Sequence, residues 1–430
     1  MRQTPIIAGV TQVDVASLGR AAKAASSLLA RATTDQKNRA LIRIAELLEL
    51  RRDEVLAANR NDVEAARARK VEAYFVDRLT LTAERLTGIA GDARAVAALP
   101  DPVGEWFDET RLPNGLRLRK RRVPLGVLGV IYEARPNVTI DIAALAIKSG
   151  NAVILRGGSE TLNTNRALVG LIHQALAEAG LPEAVIGFID DPSRERILEL
   201  LRLHEYVELI IPRGGASLHA FCRENSAITV ITGGMGINHL YLDPSAELDK
   251  ALDIIDNAKT QRPTVCNALG TLVVHREIAA RALPRVVARL GAKGVTFRCD
   301  PMAMALLGEL APGVLAAGPG DWDIEWLSLV LGLKVVDSLD EGLAFIRAHS
   351  LEHSDGILSQ DPEAITRFLN EIDSAAVFVN ASTRFNDGGQ FGLGAEVAVS
   401  TQRIHARGPM GLRELTSYKW VCEGDGQVRA

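Results

Sequence analysis

Between residues 126 and 232 short apolar runs alternate with amphipathic stretches, and no other feature restricts the fold as much. Residues 126–132, 151–156, 184–189, 207–211 and 228–232 read as strands. Residues 140–148, 163–179, 193–203 and 216–223 read as helices, with Ser149-Gly150 and Gly180 placed to end two of them. Strands this uniformly apolar need cover on both faces, which implies a parallel sheet joined by helical crossovers. That is the layout of a Rossmann-type nucleotide-binding domain, whose ligand lies at the carboxyl ends of the strands.

The flanks fill in the rest. Residues 15–98 place apolar groups at helical spacing, as at Leu41, Ile44, Leu47 and Leu48, with Thr34 or Asp35 to cap the second helix. Leu112-Pro113-Asn114-Gly115-Leu116 predicts a hairpin turn between strands at 105–111 and 116–122, because Asn-Gly tolerates the positive φ angles of tight turns. After Asp243 the pattern restarts, with a helix at 246–259 and strands at 269–274, 334–336 and 375–379. Residues 380–395 read as an irregular loop, and 417–422 as a strand in the tail. The expected division is a cofactor-binding domain from 1–104 and 123–245, an α/β catalytic domain from 246–380, and a β arm from 105–122 and 396–430. Unpaired strands are a liability unless covered, so the arm predicts a homodimer or larger homo-oligomer.

Composition excludes several classes. With 49 basic and 53 acidic residues the net charge is −4, which gives no general attraction to nucleic acid or to a membrane surface. The basic run Arg117-Leu118-Arg119-Lys120-Arg121-Arg122 reads as the solvated face of the hairpin, with no interleaved aromatics. Cys222, Cys266, Cys299 and Cys422 lie far apart, with no metal-ligand spacing, so neither a metal site nor a disulfide framework is expected. Met1-Arg2-Gln3-Thr4-Pro5 lacks the apolar core of a signal peptide. The most apolar region, 127–155, is interrupted by Glu133, Arg135, Asp141 and Lys148, which a membrane span would not tolerate cheaply. A soluble, cytoplasmic protein is predicted.

One cysteine stands out. Gln261-Arg262-Pro263-Thr264-Val265-Cys266-Asn267-Ala268 is a polar approach that ends at a thiol and then enters an apolar strand. A thiolate at a strand mouth suits attack on an acyl carbon. Local sequence leaves a second reading open, that of a buried and inert thiol.

Longer motifs decide between them. Residues 129–139 (Gly-Val-Ile-Tyr-Glu-Ala-Arg-Pro-Asn-Val-Thr), 150–158, 212–215, 261–268, 322–325, 336–341, 353–357, 379–385 and 405–411 occur in order along nearly the whole chain, from about 15 to 423. In these the chain resembles the γ-glutamyl phosphate reductases, a branch of the aldehyde dehydrogenase superfamily. The resemblance implies an aldehyde dehydrogenase-like α/β fold, with a Rossmann-type cofactor domain, an α/β catalytic domain and a β oligomerisation arm. It implies NADPH-dependent reductive dephosphorylation of L-glutamyl 5-phosphate to L-glutamate 5-semialdehyde and phosphate, in proline biosynthesis. The glutamate kinase that supplies the substrate is a further candidate partner.

By the same resemblance Cys266 is the nucleophile. Asn137 is the side-chain donor to the acyl oxygen, beside a backbone N–H of Cys266 or Asn267. Oxidising members of the superfamily carry a glutamate just before a Gly-Gly, as a base that activates water. Here the stretch reads Ile231-Thr232-Gly233-Gly234, and Thr232 cannot serve as that base, which favours reduction over oxidation of an aldehyde to an acid. Close relatives also usually place a cysteine where Ile237 or Asn238 stands. For the cofactor, Arg156 can pair with a ribose 2′-phosphate, and Gly157, Gly158 and Ser159 follow it. Pro212, Arg213, Gly214 and Gly215 open a helix towards a pyrophosphate. Thr232 and Gly233 complete that set, with Glu325 as acceptor for ribose hydroxyls. Arg135 and Arg384 are candidate partners for the substrate's anionic groups, with Ser382, Thr383 and His353 beside them. Two other functions are weighed: an oxidative aldehyde dehydrogenase of the same fold, and an assembly protein that kept the fold without the chemistry.

Overall fold

The computed structural model describes residues 14–308 and 313–429, so the reading of Met1–Pro5 lies outside the described residues. The chain divides into two compact units. One runs through the described residues up to Ile231 and takes in those from Leu412 onward; the other is Thr232–Gly411.

In the first unit the helices Val15–Leu29, Thr34–Leu50, Arg52–Ala68, Ala73–Leu79 and Ala83–Ala98 precede the sheet. Thr33, rather than Thr34 or Asp35, caps the second. Its hydroxyl accepts from the Gln36 N–H while the Gln36 side chain reaches back, and the next two residues already belong to the helical turn. Leu41, Ile44, Leu47 and Leu48 form the expected buried stripe. The four-stranded parallel sheet runs in the order Ile186–Phe188, Ala152–Gly157, Val127–Tyr132, Leu209–Arg213. Every residue of its two inner strands is buried, which is why they read as unbroken apolar runs. The segment expected as a strand at 228–232 contributes only a bridge from Val230 to Ile210, because Gly233 and Gly234, at φ 151° and 79°, turn the chain away.

A three-stranded antiparallel arm, Trp106–Arg111, Arg117–Pro124 and Thr416–Glu423, belongs to the same unit. The Asn114-Gly115 turn closes as expected: Gly115, at φ 89°, donates to Leu112 O at 2.9 Å. The basic run is neutralised across the arm by Arg117–Glu109, Arg119–Glu423, Lys120–Asp108 and Arg122–Glu105 pairs. Aromatic rings reach it from the neighbouring strands. Arg119 lies 4.0 Å from the Trp106 ring centroid, and Lys120 lies 4.4 Å from that of Tyr418. The Asn151 side chain ties the tail down by donating to Leu415 O at 2.8 Å.

The second unit is built on a seven-stranded parallel sheet. Its order is Val314–Ala316, Thr296–Cys299, Val330–Val336, Leu269–His275, Asn238–Leu242, Ser354–Leu358, Ala376–Val379. The helices Leu248–Thr260 and Arg276–Gly291 close one face over a continuous apolar core. Asn238–Leu242 sits near the middle of this sheet, so the stretch after Thr232 packs with the second unit. The sequence reading had grouped it with the first. Residues up to Gly411 stay with the second unit as well, and the arm begins after them. No described helix is long and apolar enough to cross a membrane.

Candidate active site

Cys266 lies on a tight turn between the helix Leu248–Thr260 and the strand Leu269–His275. The Ala268 N–H donates to Val265 O at 3.1 Å, which places Cys266 and Asn267 at the tip. Side chains from elsewhere in the unit hold the carbonyls of this turn. The Asn238 amide donates to Cys266 O at 2.7 Å and to Ala268 O at 2.8 Å. The Thr383 hydroxyl donates to Asn267 O at 2.7 Å, and Lys259 Nζ to Leu269 O at 3.0 Å. The Asn267 amide donates in turn to Asn386 O at 3.1 Å, and Asn386 to His353 O at 3.1 Å. One hydrogen-bonded block therefore fixes the thiol-bearing backbone, while Cys266 itself stays half-buried and within reach of a reagent.

Gly236 makes this close fit possible. A Cβ there would stand 1.8 Å from Cys266 O and 2.8 Å from Asn238 Nδ2. The Gly236 N–H donates to Glu325 Oε1 at 2.8 Å, so Glu325 anchors the loop that backs the turn. Burial raises the Glu325 carboxyl above its ordinary range, with the Gly236 N–H opposing that shift.

Electrostatics separates Cys266 from the other thiols. Burial pushes Cys222 and Cys299 up to about 11, which makes them inert. Arg384 donates from Nε to Gln261 Oε1 at 2.7 Å. Burial lowers its pKa first, helped by Arg262, while Asp387 and Cys266 oppose the shift. Lys259 is fully buried, and burial presses it down to about 7.

The remaining candidates of this unit fall into place around the block. Thr383 spends its hydroxyl on Asn267 O, and the buried Ser382 accepts from the Arg384 N–H at 3.3 Å, so both shape the loop that carries Arg384. His353 is fully buried, and burial holds its imidazole down to about 4. It stays neutral at physiological pH and supports Asn386 in place of changing charge. Thr232 donates its N–H to Gln402 Oε1 at 2.7 Å. Gly233 is required by packing, since a Cβ would stand 2.4 Å from Val399 O.

In the first unit the cofactor candidates sit at the carboxyl ends of the two strands that flank Val127–Tyr132. Arg156 and Gly157 end Ala152–Gly157, with Gly158 and Ser159 next; Pro212 and Arg213 end Leu209–Arg213, and Gly214 and Gly215 lead into the helix Ala216–Asn225. A Cβ on Gly157 would meet the Asn165 amide at 2.1 Å, whereas Gly215 has open space around it. The Gly215 N–H donates to Glu133 at 3.2 Å. Burial lowers Arg156, and Glu160, Asp191 and Glu133 oppose that. Its Nε is buried without a partner among the described residues. Asn137 begins the helix Asn137–Ser149 and donates to Asp141 at 2.8 Å. Arg135 is exposed just before it.

Sequence and fold comparisons identify the family. Residues 5–300 match the model of the aldehyde dehydrogenase family. A γ-glutamyl phosphate reductase from Chloroflexus aurantiacus is 55% identical over 97% of this chain and 100% of its own length. Another from Pectobacterium carotovorum is 54% identical over 96% and 99%. The crystal structure of a γ-glutamyl phosphate reductase from Thermotoga maritima matches with a TM-score of 0.94 at 46% identity, covering 96% of this chain and 99% of that one. The chain belongs to the γ-glutamyl phosphate reductase family.

A γ-glutamyl phosphate reductase, as an aldehyde dehydrogenase-family enzyme, works with a nicotinamide cofactor. The residues of the first unit fit one: glycines at and after two strand ends, of which Gly215 has open space around it, and a guanidinium with a spare buried donor. Sequence reading missed Asn238, Asn386 and Lys259 as supports of the thiol turn. Asn238 had drawn notice only as a departure from close relatives. Lys259 had no signal beyond its place two residues before Gln261.

Proposed function

We propose that this chain reduces L-glutamyl 5-phosphate to L-glutamate 5-semialdehyde and phosphate with NADPH, through a thioester on Cys266. The observation that carries the reading is a half-buried thiol on a backbone turn tethered at its carbonyls, with Arg384 bound through Nε to Gln261 Oε1 of the same motif at 2.7 Å. The Cys266 thiolate adds to the acyl carbon, and the tetrahedral oxyanion re-forms the carbonyl as phosphate leaves with the bonding pair. Bound NADPH supplies a hydride to the thioester carbon. The resulting oxyanion then expels the Cys266 thiolate, and the aldehyde is released.

Both additions place negative charge on one oxygen. A backbone N–H of Cys266 or Asn267 is the proposed donor to that oxygen, and the Asn137 amide, which keeps a second N–H beyond its bond to Asp141, is a proposed catalytic group on the first unit. Thr232 cannot activate water, which protects the thioester from hydrolysis. Arg384 and Arg135 are the proposed partners for substrate anions, with Ser382 and Thr383 shaping the Arg384 loop. Arg156 supports NADP over NAD through a guanidinium suited to a 2′-phosphate, with Gly157, Gly158, Ser159, Pro212, Arg213, Gly214 and Gly215 along the dinucleotide. Glu325 keeps one oxygen for ribose hydroxyls.

The arm ends on two edge strands that expose Trp106, Tyr418 and Trp420. Such edges support a homodimer or larger assembly, and a solution mass equal to one chain would contradict it. A cytoplasmic location and hand-over from the glutamate kinase suit so labile a substrate. The test of the activity is the reverse reaction. Semialdehyde and NADP⁺ should give NADPH only when phosphate or arsenate is present; NADPH formed without either would assign an oxidative aldehyde dehydrogenase instead.

A further inference from the structure

The chain that leaves the strand Val127–Tyr132 is tied on both sides by carboxylates. The Glu160 side chain accepts the Ala134 N–H at 2.8 Å, and the Glu133 side chain accepts the Gly215 N–H at 3.2 Å. The Glu133 N–H continues the strand by donating to Arg213 O at 3.1 Å. Ala134 sits at φ 47°, which residues other than glycine rarely hold, and is buried in a cluster with Val63, Ala66 and Leu79. The backbone around Glu133 is therefore fixed. Its side chain is exposed, so the carboxylate can turn into solvent without disturbing that backbone.

The carboxylate lies at the N-terminus of the helix Ala216–Asn225, where free backbone N–H groups and the helix dipole favour an anion. Gly215, the N-cap, has no side chain to supply one. A Cβ on Gly214 would stand 2.4 Å from Glu133 Oε2, so the missing side chain at 214 makes room for a carboxylate of this same chain. A second donor lies at the strand end on the other flank. Arg156 pairs in register with Ile131, two residues before Glu133, and its Nε is buried without a partner among the described residues. Arg156 is 8% exposed, and Glu133 is among the carboxylates whose charge reaches it. Donors for an anion thus flank Glu133 at the carboxyl ends of the sheet, where a dinucleotide binds in this layout.

We propose that Glu133 is a built-in competitor of the cofactor: its carboxylate takes the Gly215 N–H that the diphosphate of a nicotinamide dinucleotide needs, and the cofactor binds by turning it out into solvent. The inference rests on the cofactor reading of the first unit and adds to it the group that limits affinity there. Glu160 differs in role, since it holds the Ala134 backbone and leaves the helix N-terminus alone.

The test compares Glu133→Ala, which removes the competitor, with Glu133→Gln, which keeps an acceptor and loses the charge. NADPH binding to the full chain is titrated by the cofactor's fluorescence. Adenosine 2′-phosphate, which has no diphosphate, is measured by displacement of NADPH. Glu133→Ala should bind NADPH ~3- to 10-fold more tightly, the size of a charge at a helix terminus, with Glu133→Gln in between. Adenosine 2′-phosphate affinity should stay within about twofold of the parent in both, because no shared N–H is freed for it. NADPH affinity that is unchanged or weaker in Glu133→Ala overturns the inference. So does adenosine 2′-phosphate affinity that rises in step with that of NADPH, which would mark a general loosening of the site. If Glu133→Ala does not fold, Glu133→Gln decides on the same readouts. A parent chain that binds neither NADPH nor NADH would instead refute the cofactor reading itself.

Discussion

Lys259 makes the support of the thiol turn measurable as stability. Its ammonium is fully buried, donates to Leu269 O at 3.0 Å, and is pressed by burial from 10.5 to about 7. In the unfolded chain the same amine titrates near 10.4. Between these values the unfolded state binds more protons than the folded one, so this residue makes stability rise with pH. Its penalty is fully present below about pH 7 and fades as pH approaches the unfolded value. At ~1.4 kcal/mol per pH unit, the penalty is about 4 kcal/mol near pH 7 and about 1 kcal/mol near pH 9.5. Lys259→Met removes it, at a pH-independent cost of roughly 1–3 kcal/mol for the orphaned Leu269 carbonyl. The variant should therefore gain on its parent by about 3 kcal/mol more near pH 7 than near pH 9.5. Urea unfolding followed by tryptophan fluorescence reads this directly. Trp322 and Trp326 report on the second unit once Trp106 and Trp420, which lie in the first, are changed to Phe. A difference between variant and parent that does not change with pH would refute the argument that this amine is desolvated in the folded state.

Three further outcomes follow from the same contacts. Gly236→Ala puts a methyl group 1.8 Å from Cys266 O, and steady-state kinetics should show kcat lowered on the order of 100-fold with NADP⁺ binding intact. Thr383→Val removes the donor to Asn267 O; a fall in kcat of about 10-fold is expected, with a loss of roughly 1–3 kcal/mol in the second unit's unfolding. Arg156→Ala should raise KM for NADP⁺ by about 10-fold or more and leave that for NAD⁺ little changed, which a paired titration checks.

How far the chain could be read depended on where its polar groups went. Val127–Tyr132 and Ala152–Gly157 were evident because nearly every residue in them is apolar and buried. Asn238–Leu242 and Ser354–Leu358 were not recognised as strands, although they are central to the larger sheet. Each opens on polar residues that are fully buried with partners distant in sequence: His239 Nδ1 lies 2.9 Å from Asp355 Oδ1, and the Asn386 amide donates to Ser354 Oγ at 2.9 Å. Local periodicity cannot anticipate such pairs. The site divides along the same line. Cys266, Asn267 and Gln261 share one short motif, so the thiol was legible. The groups that hold its backbone come from 28 residues upstream of Cys266, at Asn238, and 116 downstream of Asn267, at Thr383, and only tertiary structure brings them together. His353 was read as a candidate beside the substrate arginines, and the structure buries it, with burial lowering its imidazole to about 4.

The most direct test is chemical capture of the acyl-enzyme. Glutamyl phosphate generated in situ is mixed with the protein without NADPH, the reaction is quenched in acid, and peptides are mapped by mass spectrometry. One glutamyl group on Cys266, discharged when NADPH is added before the quench, is the predicted result. An unmodified Cys266 under conditions that support turnover, or a glutamyl group on another residue, would contradict the account.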